Sequence, residues 1–139
     1  MSSWIGQYLV KQRNFLVNKV MPMALGDSSV LTPEIMAHYR NAPALPEMRR
    51  ANAAFPGHII GASHWLGSIW DEPTAFSGKP TLILWGLKNT AFRRKELERW
   101  KHELSNVQVH EFQNCGHFPE EEVPDPLVPL LQSFMGRTR

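Results

Sequence analysis

The sequence has little cysteine and no strong excess of charge of either sign. Cys115 is the only cysteine in 139 residues, so no internal disulfide can form and the chain needs no oxidising compartment. The 15 Lys and Arg residues nearly balance the 13 Asp and Glu residues, which leaves a net charge of +2. Basic residues also stand among acidic ones, whereas nucleic-acid binding clusters Lys and Arg on one face. We therefore expect no nucleic-acid partner.

Long apolar runs are absent as well. No run approaches the length that crosses a bilayer. Residues 1 to 6 have neither the basic region nor the continuous apolar region of a signal peptide. We therefore expect no membrane segment and a reducing, cytoplasmic setting. With 42% apolar residues, the size and composition are those of one soluble domain with a modest core.

The start of the chain has the periodicity of a helix. Apolar residues that recur at i+3 and i+4 predict an amphipathic helix over residues 3 to 20, which Pro22 then limits. Its predicted apolar face includes Trp4, Tyr8 and Phe15. Core packing is the interpretation for Trp4, Phe15 and Met21, with a role in lining a substrate pocket as the alternative.

Two further helices are predicted before residue 58. Thr32 as N-cap and Pro33 in the first position begin a helix that should run to about residue 41. After a break between two prolines, residues 47 to 55 can form another helix, ended by Pro56 and Gly57. Residues 58 to 78 suggest a short helix and a loop packed by aromatic side chains, which are Trp65, Trp70 and Phe76.

The last 60 residues have the pattern of a βαβα unit with parallel strands. Thr81 to Trp85 is a short apolar run typical of a strand that is buried on both faces of a parallel sheet. Residues 107 to 112 alternate as a second strand does. Two helical stripes complete the unit, Leu97, Trp100 and Leu104 in the first, and Leu127, Leu130, Leu131 and Phe134 in the second. Because two strands cannot bury both faces of the first, we expect the sheet to be completed by strands outside this chain.

Polar side chains follow both predicted strands. Lys88 and Asn89 come after the first strand, and Cys115, Gly116 and His117 come after the second. Catalytic groups in open parallel sheets gather at the carboxyl ends of the strands. The imidazole of His117 can serve as a general base near neutral pH. The alternative is a histidine that only makes a hydrogen bond in a turn.

These motifs resemble the haloalkane dehalogenases and their epoxide-hydrolase relatives within the α/β-hydrolase superfamily. The matching stretches are Pro80 to Gly86 with Phe92, Cys115 to Phe118, and Glu121 to Asp125. Upstream segments are similar to the helical cap that such enzymes insert before the penultimate strand, and they are residues 6–9, 20–22, 32–33 and 38–40. The resemblance implies an incomplete α/β-hydrolase fold, in which a mostly helical cap region precedes the βαβα unit. It divides the chain into a cap-like region (1–56), a connecting helix and loop (57–79), and the C-terminal part of the hydrolase core (80–139).

The resemblance also implies roles for two residues. In such enzymes a carboxylate nucleophile displaces halide to form an alkyl ester, and a histidine activates water to hydrolyse that ester. His117 matches this base, and Asn89 falls at the position of the acid that orients the base. An amide can orient an imidazole but cannot neutralise its charged form. Some relatives take the acid from an earlier strand, and Glu120 is a fallback partner for His117.

No residue of the chain supplies the nucleophile. Gly61-Ala-Ser63-His64-Trp65 resembles a nucleophile elbow only superficially, because Trp stands at the last position and no apolar strand precedes it. Cys115 is expected to pack behind the histidine loop, and the acidic run 120–122 to begin the last helix. The remaining histidines form no recognised metal spacing, so we expect no metal site among them. The resemblance implies a reaction that uses neither a metal nor an organic cofactor. The other large aromatic residues are interpreted as packing residues, and they are Trp65, Trp70, Trp85 and Trp100.

These expectations lead to three hypotheses. The first is the C-terminal part of a haloalkane-dehalogenase-like hydrolase, inactive alone, which acts on a small apolar substrate if an N-terminal half completes it. The second is a degenerate, non-catalytic interaction protein, or half of a split hydrolase, whose exposed sheet edge is covered by self-association or by a complementing half-chain. The third is a fragment of an epoxide hydrolase or esterase.

Overall fold

The computed structural model describes residues 3–70 and 77–137, and the chain divides into two compact units. The first unit comprises Met1–Met23 and Leu31–Glu72, and the second comprises Ala24–Val30 and Pro73–Arg139. Within the described residues, the first unit is helical and the second contains a small parallel sheet. The expected packing role of Phe76 lies outside the described residues.

Helices and turns account for most of the first unit. The elements are α1 (Trp4–Arg13), a π-helical turn (Leu16–Val20), α2 (Met21–Ala24, which runs into the second unit), α3 (Pro33–Asn41), a 3₁₀ turn (Pro46–Arg49), α4 (Arg50–Gly61) and α5 (Ser63–Trp70). The predicted start of α3 is confirmed, because the Thr32 side chain accepts a hydrogen bond from the backbone N–H of Ile35 at 3.2 Å. This is the usual way in which threonine caps a helix.

The single helix predicted over residues 3 to 20 is wrong, because α1 ends at Arg13. Asn14 follows in the left-handed conformation, with a φ of 47°, and its backbone N–H bonds to the carbonyl of Leu9. Asparagine tolerates this conformation better than most residues, and it ends helices for that reason. Pro22 does not limit a helix either, since it lies inside α2.

The predicted apolar face of α1 is also on the wrong side. Trp4 is 79% exposed and Ile5 and Tyr8 are each 53% exposed, while Gly6 and Val10 are buried. Helix α1 contacts α4 and the 3₁₀ turn before it. Small residues let helix backbones approach closely, so the face with the smaller side chains is the one that packs.

Helix α4 continues through the proline that was expected to end it. Pro56 lies inside the helix, which runs on to Gly61. A proline removes one hydrogen bond from a helix interior at considerable cost. Helix α4 nevertheless continues past Pro56, and it packs against α1 and the preceding 3₁₀ turn. Ala53 is buried in this helix.

A buried arginine ties the first unit together. Arg49 is 8% exposed, and its guanidinium donates to three backbone carbonyls. The acceptors are Lys11 and Pro43, each at 2.7 Å, and Ala44 at 2.5 Å. A buried guanidinium is stable only with such partners. Arg49 therefore joins the end of α1 to the loop before the 3₁₀ turn.

The second unit contains the predicted βαβα arrangement. Its elements are a 3₁₀ turn (Ser28–Val30), β1 (Thr81–Gly86), α6 (Arg94–Glu103), β2 (Val107–Phe112), α7 (Pro119–Glu122) and α8 (Pro124–Arg137). Strands β1 and β2 pair in parallel, with Thr81 opposite Val107 and Gly86 opposite Phe112. Both strands and their parallel pairing are confirmed.

The core of the second unit is small. Leu97 and Cys115 are fully buried, and Leu104 and Leu127 are nearly so. Trp100 and Leu131, which belong to the predicted stripes, are 38% and 41% exposed. Residues 81 to 85 of β1 are only partly buried, so the expectation of a strand buried on both faces is not met within the described residues.

One edge of β1 has no strand beside it among the described residues. The N–H groups of Thr81 and Leu87 donate towards the β2 side, to Asn106 and Phe112. Alternation along a strand then aims the polar groups of Leu82 and Leu84 to the opposite side. An apolar groove of about 430 Å³ runs along this strand, lined by Thr81–Trp85, Trp100 and Leu104.

Candidate functional site

The loops that follow the two strands are joined by their backbones. The N–H of Lys88 donates to the carbonyl of Cys115 at 2.9 Å, and the N–H of Leu87 donates to the carbonyl of Phe112 at 3.0 Å. Gly86 lies against the second loop, where a Cβ would come within 2.5 Å of the Cys115 carbonyl oxygen and closer still to that of Gly116. Glycine at position 86 therefore lets the two loops approach.

Asn89 and His117 meet at this junction. The Nδ1 atom of His117 lies 3.3 Å from the Oδ1 atom of Asn89. The same Oδ1 accepts hydrogen bonds from the backbone N–H groups of Ala91 and Phe92, each at 3.0 Å. Two backbone donors identify this atom as the oxygen of the amide. The structure thus brings together the two residues that the sequence analysis paired.

This arrangement determines which nitrogen of His117 carries the proton. Because Oδ1 can only accept, Nδ1 must be the donor in the Asn89 contact, and Nε2 is left with a lone pair. A histidine acting as a general base needs such a nitrogen. Asn89 therefore orients the imidazole as a carboxylate would, but it brings no negative charge to stabilise an imidazolium.

Two aromatic rings hold the imidazole in place. Phe92 stacks on His117 with ring centroids 5.6 Å apart, and Phe118 meets it edge-on at 5.1 Å. His117 is partly buried between them. Its rotamer is thus restricted by packing as well as by the hydrogen bond.

Glu122 is a residue of this site that the sequence analysis missed. Its Oε1 accepts from the N–H of Gly116 at 2.8 Å, and its Oε2 accepts from the N–H groups of Gly26 and Asp27 at 2.7 and 3.1 Å. Glu120, the expected fallback partner for His117, is exposed, and the imidazole instead contacts Asn89. The acidic run at residues 120–122 is visible in the sequence, but the sequence does not indicate which of its carboxylates turns inward.

The comparisons with known proteins identify the family. The family model described as "alpha/beta hydrolase fold" matches residues 3–122. The chain belongs to the alpha/beta hydrolase fold family. Within that family the chain is similar to haloalkane dehalogenases.

Individual relatives agree with this assignment. Haloalkane dehalogenase 2 of Mycobacterium tuberculosis is 35% identical over 138 residues, which cover 98% of this chain and 48% of that protein. A cis-3-alkyl-4-alkyloxetan-2-one decarboxylase of Shewanella oneidensis is 38% identical over 63 residues, which cover 45% of this chain and 20% of that protein. The chain thus spans about half the length of the haloalkane dehalogenase that it matches.

Solved structures share the fold. The haloalkane dehalogenase DatA of Agrobacterium tumefaciens superposes with a TM-score of 0.78 at 20% identity, and the match covers 96% of this chain and 47% of DatA. The described chain therefore shares the fold of about half of DatA.

The single cysteine of this α/β-hydrolase chain lies behind the histidine loop, as expected. Cys115 is fully buried, and its Sγ atom is 3.7 Å from the Oε1 atom of Glu122. Burial and the charge of Glu122 raise the pKa of the Cys115 thiol to about 12. A nucleophilic cysteine needs a lowered pKa, so this thiol is not poised for nucleophilic attack.

Neither strand is followed by a nucleophile elbow in the part of the chain that the structure describes. Ser63 begins α5 directly after α4, and its hydroxyl donates to the carbonyl of Ile60 at 2.7 Å. It lies on no strand-to-helix turn. Within residues 3–70 and 77–137, no three His, Cys, Asp or Glu side chains group as a metal site, and no helix is long and apolar enough to cross a membrane.

Several aromatic residues do not pack as expected. Trp4 and Trp65 are 79% and 62% exposed, whereas Trp70 and Trp85 are partly buried. Met21 is buried, and Phe15 is partly buried. Core packing is therefore wrong for Trp4 and Trp65.

Proposed function

We propose that this chain is the C-terminal part of a haloalkane-dehalogenase-like hydrolase and contributes the base of its active site. A carboxylate nucleophile outside the chain would displace halide from a small haloalkane and form an alkyl ester. Nε2 of His117 would then take a proton from water, and the resulting hydroxide would attack the ester and release the alcohol. The proposal needs no metal and no organic cofactor. It includes a reducing, cytoplasmic setting, in keeping with one buried free thiol.

The contact between His117 and Asn89 is the observation that carries this proposal. It holds the imidazole with Nδ1 protonated and Nε2 available, on a loop at the carboxyl end of a parallel strand. That is the place and the tautomer that a water-activating histidine requires. Asn89 would act by orientation alone.

The chain by itself should not turn over. No nucleophile elbow occurs among the described residues, and the matched haloalkane dehalogenase of Mycobacterium tuberculosis is about twice as long. An N-terminal half, whether joined or separate, would have to bring the nucleophile and the donors that hold the leaving halide. We propose the open edge of β1 and its apolar groove as the surface that this half covers, because polar groups at a strand edge pair readily with another strand.

Complementation tests this proposal. The 139-residue chain would be co-expressed with the N-terminal half of haloalkane dehalogenase 2 of Mycobacterium tuberculosis, and bromide release from 1-bromobutane would be measured. We expect release from the pair, none from the chain alone, and loss of release in His117→Ala. The matched control is His110→Ala, because His110 is exposed on β2 and should leave release unchanged.

Two outcomes would contradict the proposal. Bromide release by the chain alone, above the His117→Ala background, would mean that it carries its own nucleophile. A stable pair that releases no bromide would favour the second candidate, a non-catalytic interaction protein, for which the missing charge at Asn89 is the supporting observation. If the same pair instead cleaves an epoxide or an ester, the chain would be a fragment of an epoxide hydrolase or an esterase, which is the third candidate.

A further inference from the structure

The Glu122 carboxylate gathers backbone groups from two distant segments of the second unit. Three N–H groups point at it, from Gly26, Asp27 and Gly116, at 2.7, 3.1 and 2.8 Å. Gly26 and Glu122 are 96 positions apart in the sequence. One side chain therefore joins the segment that follows α2 to the loop that carries His117.

A fourth hydrogen bond ties the same two segments together. The N–H of His117 donates to the carbonyl of Ala24 at 2.9 Å. The backbones approach closely here, since a Cβ on Gly116 would lie 2.5 Å from the nitrogen of Gly26, and one on Gly26 would lie 3.0 Å from the carbonyl carbon of Asn114. Glycine at both positions permits this contact, and it leaves the backbone of His117 little freedom to shift.

Both oxygens and the charge of Glu122 are needed for this arrangement. Hydrogen bonds to an ionised acceptor are shorter and stronger than neutral ones. A glutamine of the same length has one acceptor oxygen, so its NH₂ group would face either Gly116 or the pair at 26 and 27. One side of the connection would then be left without an acceptor.

Stabilisation of a helix start does not account for Glu122. An acidic residue helps a helix when it lies in the first turn of a longer helix. Helix α7 has four residues and Glu122 is the last of them, and its carboxylate turns away to residues 26, 27 and 116.

We propose that Glu122 is a positioning residue for His117. By binding Gly116 and the segment at 26–27 with one carboxylate, it fixes the main chain from which the imidazole reaches Asn89. The significance for catalysis rests on the proposed function of His117 as base, but the effect on the imidazole is measurable in the isolated chain.

The test is the tautomer of His117, observed by ¹⁵N NMR on the 139-residue chain labelled at histidine. In the unsubstituted chain we expect one tautomer, with Nδ1 protonated and Nε2 bare. In Glu122→Gln we expect the two ring-nitrogen resonances to move towards each other, as the Asn89 contact becomes intermittent. The matched control is Glu120→Gln, which makes the same charge change on an exposed neighbour and should leave the spectrum unchanged.

An unchanged tautomer in a folded Glu122→Gln chain would overturn the proposal and leave Glu122 a support for the fold alone. If that variant does not fold, amide hydrogen exchange in the unsubstituted chain decides instead. We expect the amides of Gly26 and Gly116 to exchange about 100-fold more slowly than unprotected amides, and exchange at the unprotected rate would overturn the proposal. Absence of bromide release from the complemented pair, with this NMR result intact, would refute only the proposed function.

Discussion

The close approach at Gly86 of the two loops that follow β1 and β2 provides the sharpest test of the candidate site's packing. Replacing Gly86 with alanine adds a Cβ that would lie 2.5 Å from the carbonyl oxygen of Cys115 and 2.8 Å from its carbonyl carbon. Ordinary van der Waals contact begins at about 3.4 Å, so backbone atoms must move by about 1 Å. Because the obstructing atoms are main chain, no side-chain rotation can relieve the contact.

We expect Gly86→Ala to lower the free energy of unfolding by about 3 kcal/mol, the upper part of the range for overpacked sites. The assay is urea unfolding, followed by the circular dichroism of the chain. With a urea dependence of about 1 to 3 kcal/mol per molar, the midpoint should fall by at least about 1 M. The same variant should weaken the contact between His117 and Asn89, because the displaced carbonyls belong to the histidine loop.

Gly136→Ala is the matched control within the second unit. Gly136 lies in α8, and a Cβ there would meet nothing within 4 Å. Because Gly136 lies in the last turn of α8, alanine there should change the free energy of unfolding by less than about 1 kcal/mol. Equal midpoints for the two variants would refute the reasoning, since the same chemical change would then cost nothing at the loop junction.

Three further expectations concern Arg49, Asn89 and Cys115. Arg49→Met should lower the free energy of unfolding, measured by urea unfolding, by about 3 kcal/mol, because three backbone carbonyls lose their donor. The control Arg50→Met, at the exposed neighbour, should change it by less than about 0.5 kcal/mol. Asn89→Asp should keep Nδ1 of His117 protonated, because an aspartate oxygen can accept the same hydrogen bond, and the ¹⁵N NMR spectrum should still show one tautomer. A mixture of tautomers would mean that the side chain at position 89 has turned away. The pKa of Cys115 is raised from 9.0 to about 12 in the folded chain. Above pH 9 the thiol therefore ionises more readily in the unfolded chain, and the free energy of unfolding falls by up to about 1.4 kcal/mol per pH unit. Cys115→Ala should lack that component between pH 9 and 12, and identical alkaline profiles for the two chains would contradict the burial of the thiol.

The sheet of the second unit could be predicted because its signals are local. The apolar run at 81–85 and the alternation at 107–112 each fall on one strand, and a helical stripe between them requires parallel pairing. The helix cap at Thr32 is equally local, since the capping oxygen and its N–H partner are three residues apart. Short-range patterns of this kind therefore predicted the structure of these segments correctly.

The first unit shows where such patterns fail. Periodicity alone favoured the face of α1 with the larger side chains, but the helix packs through Gly6 and Val10. Asn14 ended α1 inside an uninterrupted apolar pattern, and Pro56 did not end α4. The face of α1 that packs depends on its contacts with α4 and the 3₁₀ turn, and the sequence of a single segment does not encode its partner.

The candidate site likewise has residues that could be predicted from the sequence and one that could not. His117 and Asn89 could be paired in advance because a family resemblance and the strand ends both pointed to them. Glu122 could not, since its partners Gly26 and Asp27 lie 96 and 95 positions away in the sequence. Nothing in a run of three glutamates distinguishes the one whose carboxylate turns inward.

A carboxylate at position 89 could both orient the imidazole of His117 and stabilise its charged form, whereas Asn89 can only orient it. Its Oδ1 accepts from Ala91, Phe92 and His117, and an aspartate oxygen could accept all three bonds in the same geometry. Under the proposed function, Asn89 would therefore keep the orienting role and lack only the negative charge. A water-activating histidine becomes positively charged as it takes its proton, so the missing charge bears on the transition state rather than on the resting geometry. Comparison of the unsubstituted chain with Asn89→Asp in the complemented pair should thus measure the effect of the charge, because an aspartate oxygen can accept the same three hydrogen bonds.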